Sequence, residues 1–242
     1  MGKKFQGNSV LTSDTACAII RRTVDKGSNM DSILKLFEEN KFIAAVRSSS
    51  AEDAEAMFKA AFEGGFRLFE ISMQTAQAIK LVESLSKIEG ALIGVSGVTD
   101  GEMAQRAINA GAKFISSPFT DRDVIAVAKH NDVFVMQGAA TPTEALNAHH
   151  FGADLIKIYP IGVLGGADYL KRIKTSLPHI KFVASGGVSL ENAFVYLKDC
   201  VAISIGRALF DRMLLRTNNW AEITERARQL TSKLETLKVS KS

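Results

Sequence analysis

The chain has 242 residues, 46% of them apolar and 23% charged, with a formal net charge of +4. That balance argues against bulk disorder, and the lack of any apolar run of about 18 residues argues against a helical membrane span. No basic stripe interleaved with aromatics is present, so the mild positive charge makes no case for nucleic acid, and two cysteines, Cys17 and Cys200, make no disulfide framework and point to a reducing compartment.

Residues 1–29 lack clear periodicity, are rich in Ser, Thr and basic residues, and hold only Asp14 and Asp25 as acids. They read as an N-terminal extension, flexible or helical. Their composition leans faintly toward an organellar targeting segment, which makes the plastid stroma the alternative to a cytoplasmic location. A helical pattern at 30–39 follows, and from there short apolar runs alternate with amphipathic segments. Strands are expected at 42–46, 68–72, 91–95, 114–117, 133–137, 155–159, 181–184 and 202–205, and helices at 51–63, 75–85, 101–110, 121–129, 142–151, 167–176, 190–198 and 220–237.

Three phrases, Glu63-Gly64-Gly65-Phe66, Asn109-Ala110-Gly111-Ala112 and His150-Phe151-Gly152-Ala153, each close a helix shortly before a strand. Their glycines suit the left-handed position after a helix C-terminus, and their recurrence marks a fold built by reiteration. Eight such βα units over 30–237, with 238–242 as a tail, most economically close into a single-domain α/β structure, the (β/α)8 TIM barrel. An open doubly wound sheet is disfavoured because Arg47-Ser48-Ser49-Ser50 follows the first strand where a G-x-G-x-x-G loop would stand.

In such a barrel chemistry belongs on the loops after the strands. Arg47, Glu70, Ser72, Ser96, Gly97, Ser117, Gln137, Lys157, Tyr159, Ser185, Gly186, Gly187, Gly206 and Arg207 all fall there. Lys157 is the misfit within Leu155-Ile156-Lys157-Ile158-Tyr159-Pro160. An ammonium group in an apolar strand must find a partner or give up its proton, and a neutral amine attacks carbonyl carbons. Alternation across the second strand sets Glu70 on the face opposite Phe69 and Ile71, so Glu70 is expected in the lumen facing Lys157, with Arg47 as a planar fork for a carboxylate. The competing reading is an ion network of structural value alone. The glycine pairs Gly165-Gly166 and Gly186-Gly187, with Gly206 and Arg207, suit an anion, or else only tight turns. His130, His149, His150 and His179 fall at the opposite face, so no metal is expected.

These residues carry a resemblance. Over about residues 40–210, through Ile43-Ala44-Ala45-Val46-Arg47, Gly64-Gly65-Phe66-Arg67-Leu68-Phe69-Glu70-Ile71, Thr141-Pro142-Thr143-Glu144, Ile156-Lys157-Ile158-Tyr159-Pro160 and Ser185-Gly186-Gly187-Val188, the chain resembles the 2-keto-3-deoxy-6-phosphogluconate (KDPG) and 4-hydroxy-2-oxoglutarate (KHG) aldolases. The resemblance implies a metal-independent class I lyase, usually a homotrimer, that releases pyruvate and an aldehyde from an anionic keto acid. It implies Lys157 as the Schiff-base lysine, Glu70 as general acid and base, Arg47 on the pyruvate carboxylate, and Gly165, Gly166, Gly186, Gly187 and Gly206 around a phosphate. The chain departs from the family where Gly97 replaces a threonine after the third strand, where Gln137-Gly138 replaces Pro-Gly, and where Pro160-Ile161-Gly162 replaces Pro-x-Glu. Ser96 or Thr99 is the expected substitute for the lost hydroxyl. The departures motivate an alternative, a catalytically impaired barrel acting as an assembly subunit or a binder of phosphorylated metabolites.

Overall fold

Eight short strands close into a parallel barrel in sequential order, β1 pairing with both β2 and β8. The computed structural model describes residues 30–240. The assigned extension at 1–29, with Cys17, and the last two residues of the assigned tail lie outside the described residues. The strands are β1 (Phe42–Val46), β2 (Leu68–Ser72), β3 (Leu92–Ser96), β4 (Phe114–Ser116), β5 (Phe134–Ala139), β6 (Leu155–Ile158), β7 (Phe182–Ser185) and β8 (Ala202–Ile205). Around them run α2 (Ala51–Glu63), α3 (Ala78–Leu85), α4 (Gly101–Asn109), α5 (Arg122–His130), α6 (Pro142–His150), α7 (Gly166–Ser176), α8 (Ala193–Tyr196), α9 (Arg212–Arg216) and α10 (Trp220–Val239), with α1 (Met30–Asn40) in front. Among the described residues no helix is long and apolar enough to cross a membrane.

Local chemistry sets the helix boundaries. Ser50, Asp100 and Asp121 each accept a backbone N–H from the first turn of α2, α4 and α5, and Thr141 with Glu144 forms a capping box on α6. The recurring glycines behave as expected: Gly65, Gly111 and Gly152 have φ of 100°, 97° and 100°. Three segments differ from expectation. The helix expected from residue 75 starts at Ala78, because the N–H of Thr75 bonds back to Ser72 and Gln77 takes φ 53°. The helix expected over 190–198 shrinks to Ala193–Tyr196, preceded by a turn in which Ser189 and Asn192 bond each other's backbone N–H. A short α9 stands where no element was expected.

Period-two alternation divides the core. Phe69, Ile71, Val135, Ile156 and Ile203 face the helices, while Ile43, Leu68, Leu92, Phe114, Phe134, Met136, Leu155, Val183 and Ala202 fill the lumen. Helix α1 closes the bottom of the barrel with Ile33, Leu36 and Phe37, whose ring meets Phe114 edge-on at 5.2 Å and stacks on Phe134 at 5.4 Å.

The register resolves the lumen into tiers of four, each drawn from alternate strands. Leu68, Phe114, Leu155 and Ala202 form an apolar tier, and Ile43, Gly94, Met136 and Val183 the next. Gly94 is required here, since a Cβ would lie 2.4 Å from the Phe114 ring. Above them Glu70, Ser116, Lys157 and Ser204 form a polar tier, topped by Ala45, Ser96, Gly138 and Ser185. The topmost side chains are all small, so the lumen opens upward from the polar tier.

Candidate active site

Glu70 and Lys157 come from β2 and β6, opposite one another in the polar tier. Lys157 Nζ donates to Glu70 Oε2 at 2.6 Å, with Lys157 4% and Glu70 3% exposed. The second carboxylate oxygen accepts the hydroxyl of Ser204 at 2.6 Å. Both oxygens of the acid are therefore fixed, one by the amine and one by β8. Sequence reasoning missed Ser204, although Ala202-Ile203-Ser204-Ile205 carries the same alternation that placed Glu70, with Ile203 under the helices and Ser204 inside. Ser116 was missed for the same reason: it follows Phe114 by two residues on β4 and lines the cavity.

The polar tier forms the floor of a cavity of about 1220 Å³ on the C-terminal side of the strands. Most of the expected residues meet there: Arg47, Glu70, Ser96, Gly97, Lys157, Tyr159, Ser185, Gly186, Gly187, Gly206 and Arg207 all line it. Arg212 and Arg216 of α9 line it as well.

Four expected residues are elsewhere: Gln137, Gly165, Gly166 and Thr99. Gln137 is 0% exposed and belongs to the outward parity of β5, with Val135 and Ala139. Its Oε1 accepts the N–H of Asp121 at 2.8 Å and its Nε2 donates to Ser117 at 3.4 Å, so it braces the loop after β4 instead of meeting a substrate. Gly165 and Gly166 do not line the cavity, and the Gly166 N–H is already spent on the carbonyl of Ile161 at 2.9 Å. Gly186 and Gly187 have a packing reason as well as a ligand one. A Cβ on Gly186 would meet the Tyr159 ring at 2.8 Å, and one on Gly187 would meet Gly162 at 2.9 Å, so the loops after β6 and β7 touch only because these residues lack side chains. Thr99 does not line the cavity and donates to Asp100 at 3.1 Å; Ser96 does line it. Gly97 has φ 74°, a conformation that a β-branched residue strongly resists, so the backbone as well as the side chain differs from a threonine-bearing loop.

Three of the four histidines, His149, His150 and His179, gather at the other face. His149 and His179 lie 5.3 Å apart beside a smaller cavity with Met30, Asp31 and Lys181. Burial, then the neighbouring His179 and His150, hold His149 below the usual imidazole range. Among the described residues no three His, Cys, Asp or Glu side chains group as metal ligands.

A buried amine touching a buried carboxylate, at the floor of a cavity on the C-terminal face of a (β/α)8 barrel, is the arrangement required by barrel enzymes that work through an amine nucleophile. The model of the KDPG and KHG aldolase family matches residues 31–226, and the chain belongs to that family. It is therefore a lyase of the class I, Schiff-base type. It is 30% identical to a 2-dehydro-3-deoxy-phosphogluconate aldolase of Treponema pallidum over 69% of this chain and 80% of that protein. Identity to a probable 2-dehydro-3-deoxy-6-phosphogalactonate aldolase of Rhizobium meliloti is 33%, over 64% and 74% of the two chains. A KDPG aldolase from Legionella pneumophila, solved with pyruvate captured as a covalent carbinolamine, superposes with a TM-score of 0.75 at 25% identity, covering 84% of this chain and 98% of that one.

Proposed function

We propose that Lys157 is the Schiff-base nucleophile and Glu70 the single acid and base of an aldol cleavage acting on a phosphorylated 2-keto-3-deoxy sugar acid, with 4-hydroxy-2-oxoglutarate as the alternative substrate. The observation that carries the assignment is the 2.6 Å contact between the two groups at the cavity floor. Glu70 takes a proton from Lys157, and the neutral amine attacks the keto carbon C2 to give a carbinolamine. The protonated Glu70 returns its proton to the departing hydroxyl, which leaves as water, and an iminium remains. Glu70, again a carboxylate, removes the proton of the C4 hydroxyl; the C3–C4 electron pair moves into the iminium, and an aldehyde departs. Glu70 then protonates C3 of the enamine, and water releases pyruvate and the free lysine. Ser204 holds one oxygen of Glu70 throughout, so the other serves both the nitrogen and the substrate without reorientation.

Arg47 is exposed at the end of β1 and lines the cavity, within the substrate's reach as a carboxylate partner. The distal phosphate is best served by the wall where Gly186, Gly187, Gly206 and Arg207 meet. α8 spans only four residues, so loop N–H groups and the guanidinium would hold the anion there. A homotrimer is the assembly that family membership supports, and the thiol of Cys200, buried and free among the described residues, supports a reducing, cytoplasmic location. The test is release of pyruvate, followed with a coupled lactate dehydrogenase, from 2-keto-3-deoxy-6-phosphogluconate, its unphosphorylated form and 4-hydroxy-2-oxoglutarate. Efficient turnover of the phosphorylated acid, lost in Lys157→Ala, is expected. Pyruvate release from none of the three would overturn the assignment and favour the alternative of an inert barrel.

A further inference from the structure

The polar tier has four members, and three of them are bonded to one another: Lys157 and Ser204 both donate to Glu70. The fourth is not. Ser116 is 1% exposed, and its Oγ is, among the described residues, the one buried side-chain polar atom without a hydrogen-bond partner. A buried hydroxyl left unpaired costs about 1 to 3 kcal/mol, so its retention in an otherwise satisfied lumen requires a reason.

Its position supplies one. Even-numbered strands contribute the tier, so β4 carries Ser116 opposite Ser204 of β8, on the other side of the line joining Lys157 to Glu70. The hydroxyl lines the cavity at the level of the amine, with only the small side chains of the next tier above it. Two neighbouring hydroxyls are engaged: Ser204 donates to Glu70, and Ser117 donates to the carbonyl of Val98 at 2.7 Å. A keto acid bound through C2 to Lys157 Nζ keeps its C1 carboxylate within about two bonds of the nitrogen, hence in the same tier.

We infer that Ser116 is a substrate-binding residue whose hydroxyl donates to the C1 carboxylate of the keto acid joined to Lys157. The inference rests on the Schiff-base reading above. It accounts for the glycine at position 97: the hydroxyl for the carboxylate comes from inside β4, so none is needed on the loop after β3. Ser116 also supplies a neutral donor below the carboxylate while Arg47 supplies charge at the mouth, so binding of the acid does not depend on the exposed arginine alone.

The test compares two ketones. Borohydride trapping is measured as a function of concentration with pyruvate and with hydroxyacetone, which keeps the ketone but lacks the carboxylate, for the wild type, Ser116→Ala and Ser116→Thr. Ser116→Ala is expected to raise the half-saturating pyruvate concentration about tenfold or more, the factor carried by a hydrogen bond to a charged group, with little change for hydroxyacetone. Ser116→Thr, which keeps the hydroxyl, is expected to retain the wild-type preference for pyruvate. An unchanged preference in Ser116→Ala, or equal weakening of both ketones, overturns the inference while leaving the Schiff-base reading intact. A wild type that traps neither ketone overturns both.

Discussion

Replacing Lys157 by Met isolates the energetic consequence of placing an ion pair inside the barrel. The substitution leaves Glu70, 3% exposed, with a charge answered only by the Ser204 hydroxyl. Removing one partner of a buried pair costs about 3 to 5 kcal/mol, because the remaining charge is uncompensated, whereas replacing both by apolar groups of similar volume is close to neutral. With a urea m-value near 3 kcal/mol/M for a chain of this size, the unfolding midpoint of Lys157→Met should fall by about 1 to 1.7 M. The double variant Lys157→Met, Glu70→Leu should be more stable than the single variant, remaining below the wild type by about 1 to 3 kcal/mol for the now unpaired Ser204 hydroxyl. Equilibrium urea unfolding followed by circular dichroism measures both. A drop below about 0.3 M in the single variant, or a double variant less stable than the single, would refute the claim that these groups form a dry, mutually neutralising pair.

Three further outcomes are expected. Ser204→Ala should lower kcat by about tenfold or more, the worth of one hydrogen bond to a carboxylate, while the half-saturating pyruvate concentration in borohydride trapping stays near the wild-type value. Gln137→Ala should cost about 1 to 3 kcal/mol of stability, read from urea midpoints, by stripping the half-buried N–H of Asp121 of its acceptor, and should leave kcat/KM nearly unchanged. His149 is held below the usual imidazole value of 6.5 in the folded chain, so the unfolded chain binds the proton more readily; stability should decline as pH falls below 6.5, and His149→Gln should flatten that part of the profile.

Much of this site is written in period-two alternation. Phe69 and Ile71 packing under helices is enough to send Glu70 inward, and the same rule applied to Leu155 places Lys157. The errors came from reading rim position in place of parity. Gln137 was placed at a strand end, but β5 continues to Ala139, and parity with Val135 turns Gln137 outward; parity with Phe114 and Ala202 would have found Ser116 and Ser204. Other features have no local signal. That Lys157 touches Glu70, 87 positions away in sequence, depends on the stagger with which eight strands close, which no single strand encodes. The five-residue α9, with Arg212 and Arg216 on the cavity wall, is too short to show a helical period.

The central claim is that Lys157 forms a covalent bond with a keto acid. Incubation with pyruvate and borohydride, followed by proteolysis and peptide mass spectrometry, tests it directly: a reduced pyruvyl adduct on the peptide holding Lys157, absent without pyruvate, is the expected result. An adduct on another lysine, or none on intact folded protein, would contradict it.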